Sequence, residues 1–169
     1  MAGYKVNGRN QLGPSRGEGF SLSRKIRRWC RCFEPEKDLA ALQTLFMNDA
    51  DLLTILGLSA ATPIQKAEKI IKRSQWDNLV TNEKRLCLYF RPSRPGKTRI
   101  VTNELLQVDV HVPAKQDYLA YRAIARVEKM LCNQTINNRI YEFEGQLGEL
   151  PTMTGFCCVG ARFSFYAIK

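Results

Sequence analysis

The residues best suited to acting on another molecule crowd into positions 21–33. There Arg24, Lys25, Arg27, Arg28 and Arg31 are interleaved with Leu22, Ile26, Trp29 and Phe33. Apolar spacings of four, three and four put those four side chains on one helical face and leave most of the rest to the cations. A basic amphipathic segment of this kind can lie in a lipid headgroup layer, each cation near an anionic leaflet contributing about 1 kcal/mol. The same cations can instead neutralise RNA phosphates while Trp29 and Phe33 stack on bases. The plainer alternative is a nuclear-localisation run or a solvated tail. Cys30 and Cys32, inside the cluster, are candidate S-acylation sites that would add a second anchor. Arg91, Arg94, Lys97 and Arg99 form a second basic group on what reads as a loop between strands; a solvated loop is the alternative there.

Catalytic and metal-binding patterns are weaker. Gly96-Lys97-Thr98 ends like a phosphate-binding loop, but Arg91 stands where its first glycine belongs and Pro92 and Pro95 remove backbone donors, so a basic turn is the reading. Cys30-x-Cys32 and Cys157-Cys158 are too close together for common zinc fingers, and Cys87, Cys157 and Cys158 read as small core residues on strands. His111, the only histidine, follows Asp109 by two positions on the polar side of a strand. That is a base with an orienting neighbour, or an ordinary wet sheet face. Glu142 and Glu144 share a face and read as solvated. Tyr121 and Ile124 fit a sorting-type pattern but sit in a helical period that assigns both to the core. No catalytic residue, metal site, cofactor or small-molecule substrate is predicted.

The elements that must position these groups follow from period and caps. Residues 1–35 read as a flexible basic arm, with Glu34-Pro35-Glu36 as stop and linker. Residues 36–169 read as one α+β domain, helical first and then a mostly antiparallel sheet with at least one covering helix. Leu39, Leu42, Leu45 and Phe46 define a first helix. Asn48 or Asp49 caps a second that stops at Gly57. Thr62, Pro63 and Gln65 form a capping box for a third, with Ile64, Ala67, Ile70 and Ile71 as its stripe. Residues 86–91 alternate as a strand. Leu106, Val108, Val110 and Val112 predict a strand with one buried and one wet face, ended by Pro113. Leu119, Ala123, Val127 and Leu131 line a covering helix. The last third is β-rich, with turns at Gly145, Gly148, Gly155 and Gly160.

Charge sets the class of partner. The 26 Lys and Arg exceed the 16 Asp and Glu by ten, and residues 1–33 alone carry +7. Such a localised field attracts polyanions. No signal-peptide-like run opens the sequence, so the six cysteines read as reduced thiols in a cytosolic setting. No uncharged stretch has the length of a membrane span.

With the basic run from Arg24 to Arg31, the loop from Arg91 to Arg99, a compact α+β remainder and no catalytic set, the chain resembles the small matrix proteins of negative-strand RNA viruses, those of plant rhabdoviruses above all. The resemblance covers the layout and no diagnostic motif; the proline-rich budding motifs of animal viruses are missing. It implies a non-enzymatic protein bridging a nucleocapsid or RNA to the inner face of an anionic membrane, with self-association, found in the virion, at the host membrane periphery, in the cytoplasm or in the nucleus. An RNA-binding accessory protein (a silencing suppressor or movement factor) and a small enzyme using His111 are the alternatives.

Overall fold

The computed structural model describes residues 33–96 and 100–168. Three helices come first: α1 (Pro35–Asn48), α2 (Ala50–Leu56) and α3 (Pro63–Lys69). Strands β1 (Ile70–Ile71), β2 (Arg85–Pro95) and β3 (Val101–Pro113) follow, then a 3-10 turn (Ala114–Gln116) and helix α4 (Asp117–Leu131). The chain finishes with β4 (Thr135–Ile136), β5 (Arg139–Ile140), β6 (Glu142–Glu149) and β7 (Phe156–Ile168). One sheet runs β1-β2-β3-β7-β6, antiparallel except where β1 meets β2, and β4 pairs with β5 apart from it. The α+β class with a helical first part and a covering helix holds.

The caps read from sequence are present. The Asp49 carboxylate accepts from Leu52 N–H at 2.7 Å, and Thr62 and Gln65 make a reciprocal capping box. Gly57 ends α2 at φ +72°, a conformation other residues adopt only with strain. The inner face of the sheet, carrying Leu86, Leu88, Leu106, Val108, Val110, Phe163 and Phe165, packs on Leu42, Phe46, Leu52, Ile124 and Val127 of the helices. No single helix among the described residues is long and apolar enough to cross a membrane.

Several expectations are corrected. Pro35 is not in a linker; it opens α1, where its missing N–H is no loss. The stripe assigned to α3 is absent: the helix has no buried residue, Ile64 is 73% exposed, and Ile70 and Ile71 leave the helix to pair with Leu86 and Cys87. Residues 91–95 are strand and not loop, with a bulge between Arg91 and Arg94. β1 reaches only Leu86 and Cys87, so this stretch is effectively an edge, where proline is tolerated. Gly145 and Gly148 are positive-φ residues at bulges inside β6, and Gly160 lies within β7; only Gly155 is in a turn. Tyr121 is exposed while Ile124 is core.

The largest correction concerns β3. Its polar side is not wet: Gln107, Asp109 and His111 are all buried. Residues 72–84 fold over the first half of that face. Residues 149–155 close the part beside β7, with Leu150 N–H bonded to Cys158 O and Ala114 N–H to Gly155 O.

Candidate polyanion-binding end

Of the residues singled out in the sequence, Arg24, Lys25, Arg27, Arg28, Trp29, Cys30, Arg31, Cys32, Lys97 and Arg99 lie outside the described residues. Phe33, Arg91 and Arg94 lie within them. Phe33 does not belong to an exposed stacking face. Its ring packs edge-on against Phe90 (5.0 Å between centroids) and Phe165 (5.6 Å), and the Arg139 guanidinium sits 5.4 Å from its centre. Arg139 in turn donates to the buried Asp38 carboxylate at 2.8 Å, which Asn137 also contacts. Phe33 is therefore half-buried against the core, and the arm joins the domain through it.

Arg91 and Arg94 are exposed on the outer face of the sheet. Arg94 reaches Glu144 of β6 at 3.5 Å, although β3 and β7 stand between their strands. Three strand spacings span about 14 Å on a flat sheet, so the outer face is coiled and concave along this diagonal, with the bulges of β2 and β6 supplying the bend. Arg162, opposite Gln107, joins them from β7; its Nε is closed to solvent and makes no hydrogen bond. Both Arg91 and Arg162 act on the buried Asp109 carboxylate. Burial raises its pKa, and hydrogen bonds from Tyr89 (2.6 Å) and Gln107 (2.9 Å) and the field of both arginines oppose that rise. Arg162 was not singled out in the sequence; its outward position two residues from Ser164 on an alternating strand was the available signal.

The charge ledger sharpens the picture. The described residues contain fifteen Lys and Arg and fifteen Asp and Glu, a net charge of zero. The whole excess of ten belongs to residues 1–32, which carry +7, and to Lys97, Arg99 and Lys169, which carry +3. The described residues flanking these positions lie together. Gly96 N–H bonds Val101 O across the β2–β3 hairpin, Val101 pairs with Ile168, and Phe33 rests on Phe165, three residues along β7 from Ile168. The described residues next to every segment that carries surplus positive charge thus lie toward one end of the sheet.

The opposite end is closed. His111 is 3% exposed, with Nδ1 2.9 Å from Thr152 Oγ1 and Nε2 3.7 Å from Cys158 Sγ. Burial, and then the Arg85 charge, lower the His111 pKa from 6.5 to about 4. Burial and nearby acids push the Cys158 thiol up, and Cys87 rises to about 11 for the same first reason. An imidazole and a thiol that are both neutral and shielded from solvent stabilise the fold more readily than they activate a substrate. Cys87, Cys132, Cys157 and Cys158 are free thiols, and among the described residues no three metal-ligating side chains converge.

No family model and no curated protein matches this chain. One solved structure shares 12% identity over 72% of this chain and 96% of its own, with a TM-score of 0.43. At that level the likeness carries no argument about function.

Proposed function

We propose that this is a non-enzymatic, self-associating structural protein of the viral-matrix type, which bridges an anionic membrane face and RNA or a ribonucleoprotein in the virion and at the host membrane periphery. The observation that carries the reading is the segregation of charge: the described residues sum to zero, and the surplus of ten positive charges is confined to segments whose described neighbours lie toward one end of the sheet. A field gathered in this way raises the local concentration of a polyanion while leaving the rest of the surface uncommitted. Arg91, Arg94 and Arg162 extend that end onto the concave sheet face.

The test uses the full chain with Arg24, Lys25, Arg27, Arg28 and Arg31 all changed to Gln. Binding to phosphatidylserine vesicles and to single-stranded RNA is followed against salt. The expected result is weaker binding to at least one of them and a salt slope shallower by about 0.7 per lost phosphate contact for RNA. Unchanged binding to both would sink the reading. RNA binding by the unaltered chain with no binding to vesicles favours the RNA-binding accessory protein. The enzymatic alternative rests on His111, and burial of the imidazole weighs against it as a base.

A further inference from the structure

Residues 72–83 make a loop with a buried base and two exposed apolar side chains, Trp76 and Val80. Leu79 is in the core, and Arg85 holds the chain from below. Its guanidinium donates to Asp77 O (3.0 Å), Asn78 O (3.1 Å) and Glu83 Oε1 (2.8 Å). Glu83 is itself 7% exposed; its Oε2 accepts from Val80 N–H at 2.8 Å, and Lys69 contacts its Oε1 at 3.1 Å. Cys87 Sγ adds a contact to Gln75 O at 3.5 Å, and Asn78 and Asn82 take positive φ to complete the turns. A buried charge pair anchored on backbone carbonyls fixes the loop in one shape.

That shape turns Trp76 and Val80 outward, 57% and 68% exposed. Ile64 on neighbouring α3 is 73% exposed, and Lys72 and Arg73 are exposed within the loop. Apolar side chains held in water by a rigid clasp mark a contact surface. A tryptophan beside aliphatic residues and flanking cations is the composition of a segment that enters the boundary between lipid headgroups and acyl chains.

We infer that the loop 72–83 is a membrane-insertion site, with Trp76 and Val80 entering an anionic leaflet and Lys72 and Arg73 meeting its headgroups. This rests on the bridging role proposed above and assigns the lipid contact to the end of the sheet remote from the hairpin tip, which leaves the cationic end to RNA. Asp77 is the exposed acid within the loop, and it limits the attraction to Lys72 and Arg73.

The chain has two tryptophans, Trp29 and Trp76. In full-length protein carrying Trp29→Phe, Trp76 is the only tryptophan. With vesicles of phosphatidylserine and phosphatidylcholine, its emission is expected to shift to the blue and to be quenched by brominated acyl chains. Trp76→Ala with Val80→Ser is expected to weaken vesicle binding about tenfold or more and to leave binding of a fluorescein-labelled oligouridine unchanged. Both positions are exposed, so the folded state is retained, as the circular dichroism of the variant checks. If the protein sediments with vesicles but Trp76 emission stays put, the insertion site is wrong and the bridging role stands. If the full chain binds no vesicles, both fall. Equal losses toward vesicles and oligouridine would also overturn the assignment.

Discussion

The two ends of the sheet carry polar residues on the same outer face and treat them oppositely. At the hairpin end, Arg91 and Arg94 stand open, Arg94 joined to Glu144 by a bridge at the edge of contact distance. At the other end, Arg85, His111, Asp109 and Cys158 are buried beneath residues 72–84, whose Glu83 bonds Arg85, and residues 149–155. Residue types do not separate the two groups; the covering segments do. Charges left open are available to partners, whereas charges that are sealed hold loops in place.

The same change made at both ends gives the largest contrast. Glu83→Gln leaves the buried Arg85, and the partly exposed Lys69, without their shared carboxylate. Urea denaturation is expected to show a loss of about 3–5 kcal/mol, as for other broken buried pairs. A loss under about 1 kcal/mol would mean that water reaches the clasp.

Acid comes next. The folded His111 imidazole binds its proton less tightly than the unfolded one, so the unfolded chain takes up more protons as pH falls from 6.5 toward 4. Stability contributed by the neutral imidazole is therefore complete above 6.5 and is lost through that window, up to about 3 kcal/mol. The Asp49 and Glu83 pKa values are lowered, and both groups also lose stability in acid. The test is thus the difference between the parent and His111→Gln across pH 7 to 4; parallel curves would contradict a neutral buried imidazole.

Gly160→Ala should be felt nearly as strongly. A Cβ there would lie 2.6 Å from both Asp109 Oδ1 and Leu150 Cδ1, pushing the 149–155 cover off the sheet. Overpacking of this kind costs about 1–3 kcal/mol, and amide exchange within 149–155 should quicken. Unaltered exchange would show that the cover yields without strain. Smallest is Glu144→Gln at the open end, where exposure of both partners limits the stability change to under about 1 kcal/mol. A larger loss in urea would show that Arg94 and Glu144 brace the sheet, and the contrast between the ends would narrow.

Much of the fold was legible because local chemistry decides it. Asp49, Thr62 and Gln65 cap the helices their spacing announces, and the alternation from Leu106 to Val112 is a strand. What failed depended on distant segments. The alternation of β3 reads as half wet because nothing periodic in residues 72–84 or 149–155 announces a cover. Pro92 and Pro95 read as loop residues because the shortness of β1, which frees their edge, is written elsewhere. Of the candidate site, the arm residues were named from charge and helical spacing. Trp76 escaped notice because its loop has no period, and its exposure is set by Arg85, nine positions away.

Phe33 gives the leader a firm root. Its ring sits with Phe90, Phe165 and Tyr141 in one aromatic nest, beside the Arg139 guanidinium. A load applied along the N-terminal segment would enter the molecule at the rim of its hydrophobic core. Trimming as far as Cys32 would spare that nest, and removing one residue more would leave a hole the size of a benzene ring.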